Sequence, residues 1–220
     1  MMLHKFAKPK TLAFTLLFLS AIPILMSLAL VVQIPLGSLP EDAAKFLVIP
    51  FWHWFHVLAG ASFGLIGPIQ FARVLQLRFG NLHKALGRIF IVAGLVLGVS
   101  GLGIFAQVPN SSHFIADAMR VGAGAALILT LLLSLNAIRR RDIQSHRNWI
   151  IRAYAIGMGA GSVSIVLFPV YIIKGAPIDG LLTDIVFVSS WLFCIARAEF
   201  VIVRTRQSAI NKLKMSKRPM

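Results

Sequence analysis

Five of the six histidines lie at or near the ends of apolar runs, where their imidazoles could bind a metal or a metal-containing cofactor. His53 and His56 open one run, and His113 comes just before another. His83 and His146 come just before two further runs. Neutral imidazole is the commonest protein ligand of metals, including iron and zinc. The histidines are therefore the first candidates for chemistry in this chain.

If the runs are helices that cross a membrane in alternating directions, these five histidines form two layers. His53, His56 and His113 then lie at the outer face, and His83 and His146 lie at the inner face. Ligation of haem by two histidines needs neutral imidazoles at matching depth on separate, facing helices. We therefore predict two b-type haems, one on His83 with His146 and one on His113 with either His53 or His56. The last two share one helix face, so both stay candidates.

Three arginines lie close enough in sequence to the histidines to bind haem propionates. Arg88 and Arg152 follow the inner histidines, and Arg120 lies two turns beyond His113. Arginine binds carboxylates through paired hydrogen bonds, which suits this role. The alternative is that Arg88 and Arg152 only mark the cytoplasmic side of the membrane and that Arg120 only neutralises Asp117.

Two further functions are compatible with the same histidines. His53, His56, His113 and Asp117 could bind zinc at the outer face and activate a water molecule for intramembrane hydrolysis. A transporter, sensor or assembly subunit could use the histidines only as amphipathic anchors beside interfacial tryptophans. The inner histidines distinguish these hypotheses, because electron transfer uses them and a hydrolase with a single outer site does not.

Two polar residues inside the apolar runs also need partners. Gln70 follows Pro68 near the inner end of the second run, where it could satisfy backbone groups freed by the proline or line the inner site. Glu199 in the last run is expected to pair with a neighbouring arginine. Both residues are costly to bury alone in a membrane.

The composition places these residues in a membrane protein. The chain has 220 residues, of which 58% are hydrophobic and 13% charged, and its mean hydropathy is +0.83. A soluble domain of this composition would lack the polar surface to cover itself. The single cysteine, Cys194, excludes an internal disulfide and any metal site built from several cysteines.

Six apolar runs predict six transmembrane helices in an all-α integral membrane protein. We expect one transmembrane domain over residues 1–204 and a basic cytoplasmic tail over 205–220. The runs cover residues 11–32, 50–72, 87–108, 114–138, 149–173 and 180–203.

The net charge of +15 comes from basic residues that are sorted between alternate loops. The N-terminal segment, the second-to-third loop, the fourth-to-fifth loop and the C-terminal tail hold most of the lysines and arginines. Positive residues stay on the cytoplasmic side, so both termini are expected there, in a bacterial inner membrane. An anionic lipid bilayer then accounts for the charge, and no nucleic acid partner is needed.

Glycine divides the predicted helices into two kinds. The bodies of helices two to five contain twelve glycines, whereas those of the first and sixth contain none. Three G-x-x-x-G spacings, Gly60/Gly64, Gly94/Gly98 and Gly157/Gly161, are typical of close helix packing in lipid. We predict a four-helix core of helices two to five, flanked by helices one and six. The glycines serve either helix packing alone or room for a flat cofactor.

Three segments resemble those of a family of bacterial predicted membrane proteins of unknown function, domain of unknown function 2306. That family has a G-P-x-Q-F segment, an H-[RK]-x-x-G-R turn and an H-R-x-W-[MI]-x-R-[SA]-Y-A segment. The corresponding residues here are GPIQF at 67–71, HKALGR at 83–88 and HRNWIIRAYA at 146–155. The resemblance covers roughly residues 51 to 200, and it implies no settled activity.

The layout of the histidines also resembles that of the cytochrome b561 family, whose members pass electrons across membranes through two haems. In that family the second and fourth helices share one haem, and the third and fifth share the other. The resemblance implies the same two pairings of histidines in this chain. Our leading hypothesis has a quinol or another small reductant as electron donor, and a homodimer is compatible with the sequence.

Overall fold

The computed structural model describes residues 9–38, 49–107, 114–175 and 180–216, and every regular element in these ranges is an α-helix. The prediction of an all-α protein is therefore confirmed for this part of the chain. The helices are α1 (Pro9–Leu36), α2 (Pro50–Gln70), α3 (Arg73–Arg78), α4 (Gly80–Gln107), α5 (Phe114–Arg139), α6 (Ile143–Lys174) and α7 (Leu181–Ser216).

Four of the helices are long and apolar enough to cross a membrane. They are α4, α5, α6 and the part of α7 from Leu181 to Ser208. In α1 the apolar stretch over Ser20–Leu36 is shorter, and α2 has 21 residues. The four helices support a protein that crosses a membrane several times, and the count of six spans stays a prediction.

Three helices extend well beyond the apolar runs that predicted them. α4 begins at Gly80 rather than at residue 87, α6 begins at Ile143 rather than at 149, and α7 continues to Ser216. We call the end where α2 and α5 finish and α4 and α6 start the basic end. His83 and His146 therefore lie inside the first turns of two helices at the basic end, whereas apolar runs alone would place them in loops.

The short helix α3 was not predicted, and it closes the end of α2. The last carbonyl groups of a helix have no partner within the helix. The side-chain amide of Gln76 in α3 donates to the carbonyl oxygen of Gln70 at 3.0 Å. Leu75 is buried and holds α3 against the rest of the structure. The second-to-third loop is therefore an ordered cap rather than a simple connection.

The predicted four-helix core is present. α2 packs against α4, α4 against α5, α5 against α6, and α6 also touches α2, so the four helices form a closed ring. In this ring α2 lies diagonally across from α5, and α4 lies diagonally across from α6. α1 packs on α2 and α6, while α7 packs on α6 and α5.

Tryptophan side chains fasten the two outer helices to this core. The indole nitrogen of Trp54 in α2 donates to the carbonyl oxygen of Val31 in α1 at 3.1 Å. The indole nitrogen of Trp191 in α7 donates to the carbonyl oxygen of Ile156 in α6 at 2.8 Å. The Trp191 ring also covers Gly159, where a side chain would collide with it. Each outer helix is thus held by a hydrogen bond to backbone as well as by packing.

The centre of the core is an aromatic layer formed by Phe63 of α2, Phe90 of α4 and Tyr154 of α6. The rings of Phe63 and Phe90 stack with their centroids 4.3 Å apart, and Phe63 and Tyr154 stack at 5.9 Å. Phe63 is only 2% exposed. Leu127 and Leu131 of α5 complete the cluster. All four core helices therefore meet at this layer.

The glycine faces are filled by side chains from neighbouring helices. The Phe63 ring lies against both Gly94 of α4 and Gly157 of α6, where a Cβ atom would come within 2.9 Å and 2.5 Å of it. The Tyr154 ring lies against Gly67 in the same way. The idea that these glycines leave room for a flat cofactor is therefore wrong at these positions, because aromatic rings already occupy the space.

Replacing Gly157 by alanine should lower the thermal stability of the protein in detergent. The new Cβ atom would press on the buried Phe63 ring, and overpacking of this kind costs about 1–3 kcal/mol. Gly122→Ala is the matched control, because a Cβ atom there meets nothing within 4 Å and alanine favours the helix. Equal melting temperatures for the two variants would contradict the tight fit of Phe63.

Candidate functional site

The three segments at 67–71, 83–88 and 146–155 converge at the basic end. The Tyr154 ring lies against Gly67, and the Phe71 ring meets Tyr154 edge-on with 5.4 Å between centroids. The Oε1 atom of Gln70 lies 3.4 Å from the position that a Cβ atom on Gly87 would take. Segments from α2, α4 and α6 that are far apart in the sequence therefore form one site.

His83 and His146 face this site from diagonally opposed helices. Each lies in the first turn of its helix, α4 or α6, and both turns are at the basic end. The two histidines that the sequence predicted as the inner pair therefore lie at the same end of the bundle. Their joint binding of one iron stays a prediction.

The imidazole of His146 is fixed by Ser134 of α5. Its Nδ1 atom lies 2.8 Å from the hydroxyl oxygen of Ser134 and 3.1 Å from the carbonyl oxygen of the same residue. A carbonyl only accepts hydrogen bonds, so in that bond Nδ1–H is the donor and Nε2 keeps its lone pair. Metal-binding histidines are commonly oriented through such a contact on the nitrogen that does not bind the metal.

The start of α6, and with it His146, is set by Asp142. The carboxylate of Asp142 accepts a hydrogen bond from the backbone N–H of Ser145 at 2.9 Å, and its carbonyl accepts from the N–H of His146 at 3.0 Å. The bond from Ser145 lowers the pKa of the Asp142 carboxyl, because it stabilises the ionised form. This cap extends α6 beyond its apolar run.

Three polar side-chain atoms in the converging segments are buried without a hydrogen-bond partner among the described residues. They are Nδ1 of His83, the hydroxyl oxygen of Tyr154 and Nε2 of Gln70, whose residue is only 6% exposed. Buried amide and imidazole groups normally have partners, so each unpaired atom calls for an explanation. Gln70 lines the site, which is one of the two roles that the sequence predicted for it. Its backbone carbonyl accepts a hydrogen bond from the side chain of Gln76.

At the opposite end of the bundle, the Nδ1 atoms of His53 and His56 each lie within hydrogen-bonding distance of an oxygen atom. Nδ1 of His53 lies 3.2 Å from the carbonyl oxygen of Ile49, and Nδ1 of His56 lies 3.1 Å from the hydroxyl of Ser100 in α4. His113, the predicted partner from the fourth helix, lies outside the described residues. The outer pairing therefore stays a prediction.

Two of the three candidate arginines already have acidic partners. Arg120 forms an ion pair with Asp117, and its guanidinium lies 4.3 Å from the centre of the Phe187 ring. Arg152 makes two hydrogen bonds to Glu199, at 2.6 and 2.9 Å, which confirms the expected partner for that glutamate. The first pair matches the alternative in which Arg120 only neutralises Asp117. The second gives Arg152 an acidic partner that neither of its two predicted roles included.

Arg152 is also supported on its own helix. Its guanidinium lies 4.7 Å from the centre of the Trp149 ring, one turn earlier in α6. Arg88, by contrast, is an exposed residue one turn beyond His83. Of the three arginines, Arg88 is the one that lies exposed at the basic end beside the histidine pair.

The described residues contain no group of three or more histidine, cysteine, aspartate and glutamate side chains that could hold a metal ion. The zinc hypothesis also involves His113, outside the described residues. His53, His56 and Asp117 do not by themselves form such a group.

The sequence analysis missed the two serines that hold histidines. Ser134 of α5 contacts His146 of α6, and Ser100 of α4 contacts His56 of α2. Both serines are fully or almost fully buried. A signal was present for Ser134. It lies five residues before the end of α5, and His146 is the fourth residue of α6, so the short connection at 140–142 brings the two residues side by side. No comparable local signal connects Ser100 with His56.

A family model matches residues 53–202, a range that includes all three converging segments. The chain belongs to the family described as predicted membrane protein (DUF2306). The resemblance noted in the sequence is therefore confirmed. No curated protein and no solved structure matches the chain. Membership of this family and the four apolar helices identify a membrane protein, and the likeness to cytochrome b561 stays a hypothesis about layout.

The ion pair of Arg152 and Glu199 should contribute measurably to stability. We expect a double-mutant cycle of Arg152→Leu and Glu199→Gln, measured by unfolding in mixed detergents, to give a coupling of between about 0.5 and 3 kcal/mol. The control cycle uses Arg204→Leu with Glu199→Gln, because Arg204 lies over the Phe200 ring instead. A coupling of the same size in both cycles would show that the pair is not specific.

The Asp142 cap should protect the first turn of α6 from hydrogen exchange. Because its pKa is lowered in the folded protein, the ionised cap stabilises the turn above the ordinary pKa and is lost as pH falls through the lowered value. We expect Asp142→Ala to speed exchange at the amides of Ser145 and His146. Asp142→Asn keeps an acceptor that does not titrate, so its protection should not change with pH. Equal exchange in all three proteins would refute the cap.

Proposed function

We propose that this protein is a b-type haem protein that carries electrons across or within the bacterial inner membrane. The haem at the basic end is held by His83 and His146. One observation supports this assignment above the others: two histidines lie in the first turns of diagonally opposed helices at one end of the bundle, and a buried serine orients one of the imidazoles. This is the donor set that an iron with two histidine ligands requires.

The residues at the basic end fit this group by their chemistry. Two neutral imidazoles are available, and the bond of Nδ1 to the Ser134 carbonyl leaves Nε2 of His146 as the iron ligand. Phe90 lies about 10 Å further along α4 than His83, and Tyr154 about 12 Å further along α6 than His146. The aromatic layer therefore separates the site from the interior of the membrane. The helix faces formed by the core glycines are not part of the site.

Bound haem supplies one-electron redox chemistry, and the chain supplies its binding and environment. Nε2 of His83 and Nε2 of His146 would bind the iron, and Ser134 holds the imidazole of His146 in place. The aromatic layer excludes water from the deeper part of the bundle. Arg88 would be the arginine available for a haem propionate, since Arg120 and Arg152 are already engaged with Asp117 and Glu199.

A second haem at the opposite end would be held by His113 with His53 or His56. Two redox centres at the two faces divide a hydrocarbon core of about 30 Å into shorter electron-transfer steps. The chain would cross the membrane six times with both termini in the cytoplasm, so the basic end faces the cytoplasm and its anionic lipids. The donor would be a quinol or another small reductant.

Visible spectra of the purified protein test this proposal. The oxidised and dithionite-reduced forms, expressed with ample haem, should show the sharp reduced bands of a b-type cytochrome, and a pyridine haemochrome assay should count two haems per chain. A colourless protein with stoichiometric zinc would favour the outer hydrolase site instead. A colourless protein without zinc would reject both cofactors.

Single histidine substitutions assign the sites. His83→Ala and His146→Ala should each remove the haem at the basic end, about half of the total, and His113→Ala should remove the other half. His4→Ala is the control, since His4 belongs to neither predicted pair. Retention of full haem content in both His83→Ala and His146→Ala would contradict the assignment of the basic end.

A further inference from the structure

The Gln70 side chain is buried although it has no structural task at its own helix end. Gln70 is the last residue of α2, and its backbone carbonyl already accepts a hydrogen bond from Gln76. A glutamine at a helix end near a membrane surface would normally extend into water. Instead the residue is 6% exposed, and its Nε2 atom has no partner among the described residues.

The Gln70 carboxamide lies on the face of α4 that also contains His83. Its Oε1 atom is 3.4 Å from the position of a Cβ atom on Gly87. Gly87 comes four residues after His83, and residues four apart are neighbours on one helix face. Glycine at 87 lets the carboxamide lie directly against α4. The carboxamide therefore lies one helical turn from His83 on the same face of α4.

The unpaired atoms of His83 and Gln70 complement one another. Nδ1 of His83 is buried without a partner, and so is one end of the Gln70 amide. A half-turn of the carboxamide exchanges its oxygen and nitrogen, so Gln70 can present either an acceptor or a donor to the ring. One hydrogen bond between them would remove the penalty of leaving polar atoms unpaired in an apolar setting.

We infer that Gln70 is the positioning residue of His83, as Ser134 is of His146. The carboxamide oxygen accepts a hydrogen bond from Nδ1–H, which leaves the lone pair on Nε2 for a metal. Each histidine of the basic end is then oriented by a polar residue from an adjacent helix, α2 for His83 and α5 for His146. The effect on bound haem rests on the proposed function, but the hydrogen bond itself does not.

The hydrogen bond can be tested in the protein without haem. Nitrogen-15 NMR of labelled histidines reports which ring nitrogen of His83 bears the hydrogen, and His83→Ala assigns the signal. Wild type and Gln70→Glu, which keeps an acceptor, should show His83 protonated on Nδ1. Gln70→Leu should shift His83 toward the Nε2–H form. Gln144→Leu, at an exposed glutamine of α6, should change nothing. Identical His83 signals in wild type and Gln70→Leu would overturn the inference.

A second measurement uses the haem-loaded protein. Gln70→Leu should weaken haem binding at the basic end about 10- to 100-fold and raise the midpoint potential of that haem, because the imidazole becomes a weaker donor. Gln70→Glu should lower the potential below that of wild type and retain the haem. A merely structural role for Gln70 would not shift the potential in opposite directions in the two variants.

The two proposals fail in different ways. If wild type binds no haem but Gln70→Leu changes the His83 signals, the proposed function is wrong and the role of Gln70 stands. If wild type binds haem but Gln70→Leu alters neither the His83 signals nor the potential, the role of Gln70 is wrong and the proposed function stands. Thermal melting establishes whether each variant is folded. If Gln70→Leu does not fold, the midpoint potential of the haem in Gln70→Glu tests the inference.

Discussion

The fit of the Phe63 ring against glycines on two other helices is the constraint on which the rest of the bundle depends. Within lipid, apolar side chains gain little from leaving their surroundings, so helices associate through close packing and a few hydrogen bonds. Phe63 reaches from α2 to Gly94 of α4 and Gly157 of α6, and it stacks on Phe90. A single ring thereby sets the separation of three helices.

This aromatic layer also divides the bundle into two chemically different ends. The middle of the core consists of rings and aliphatic side chains, whereas the histidines and their serine partners lie toward the helix ends. His53 and His56 therefore lie at the opposite end of the bundle from His83 and His146, with the aromatic layer between the two ends.

A common construction recurs at the two ends. A histidine on one helix is bonded through Nδ1 to a buried serine on the neighbouring helix, His56 to Ser100 and His146 to Ser134. A serine hydroxyl is small enough to stay inside an apolar helix and can also bond its own backbone. At the basic end, Gln70 is the additional polar group beside the second histidine, His83. Among the described residues, the basic end therefore combines two histidines with a buried serine and a buried carboxamide.

The sequence alone determined the fold class and the core helices, and it placed His83 and His146 at the same end of the bundle. Long apolar runs leave only helices that satisfy their own backbone groups in lipid, and alternating direction places His83 and His146 at one depth. Glycine content separated the core helices from the outer ones. Tertiary structure decided what fills the space beside those glycines, because a glycine states only that something comes close. It also decided which arginine pairs with Glu199 and which residues contact the histidines, since such contacts join helices whose rotation about their own axes no local pattern fixes.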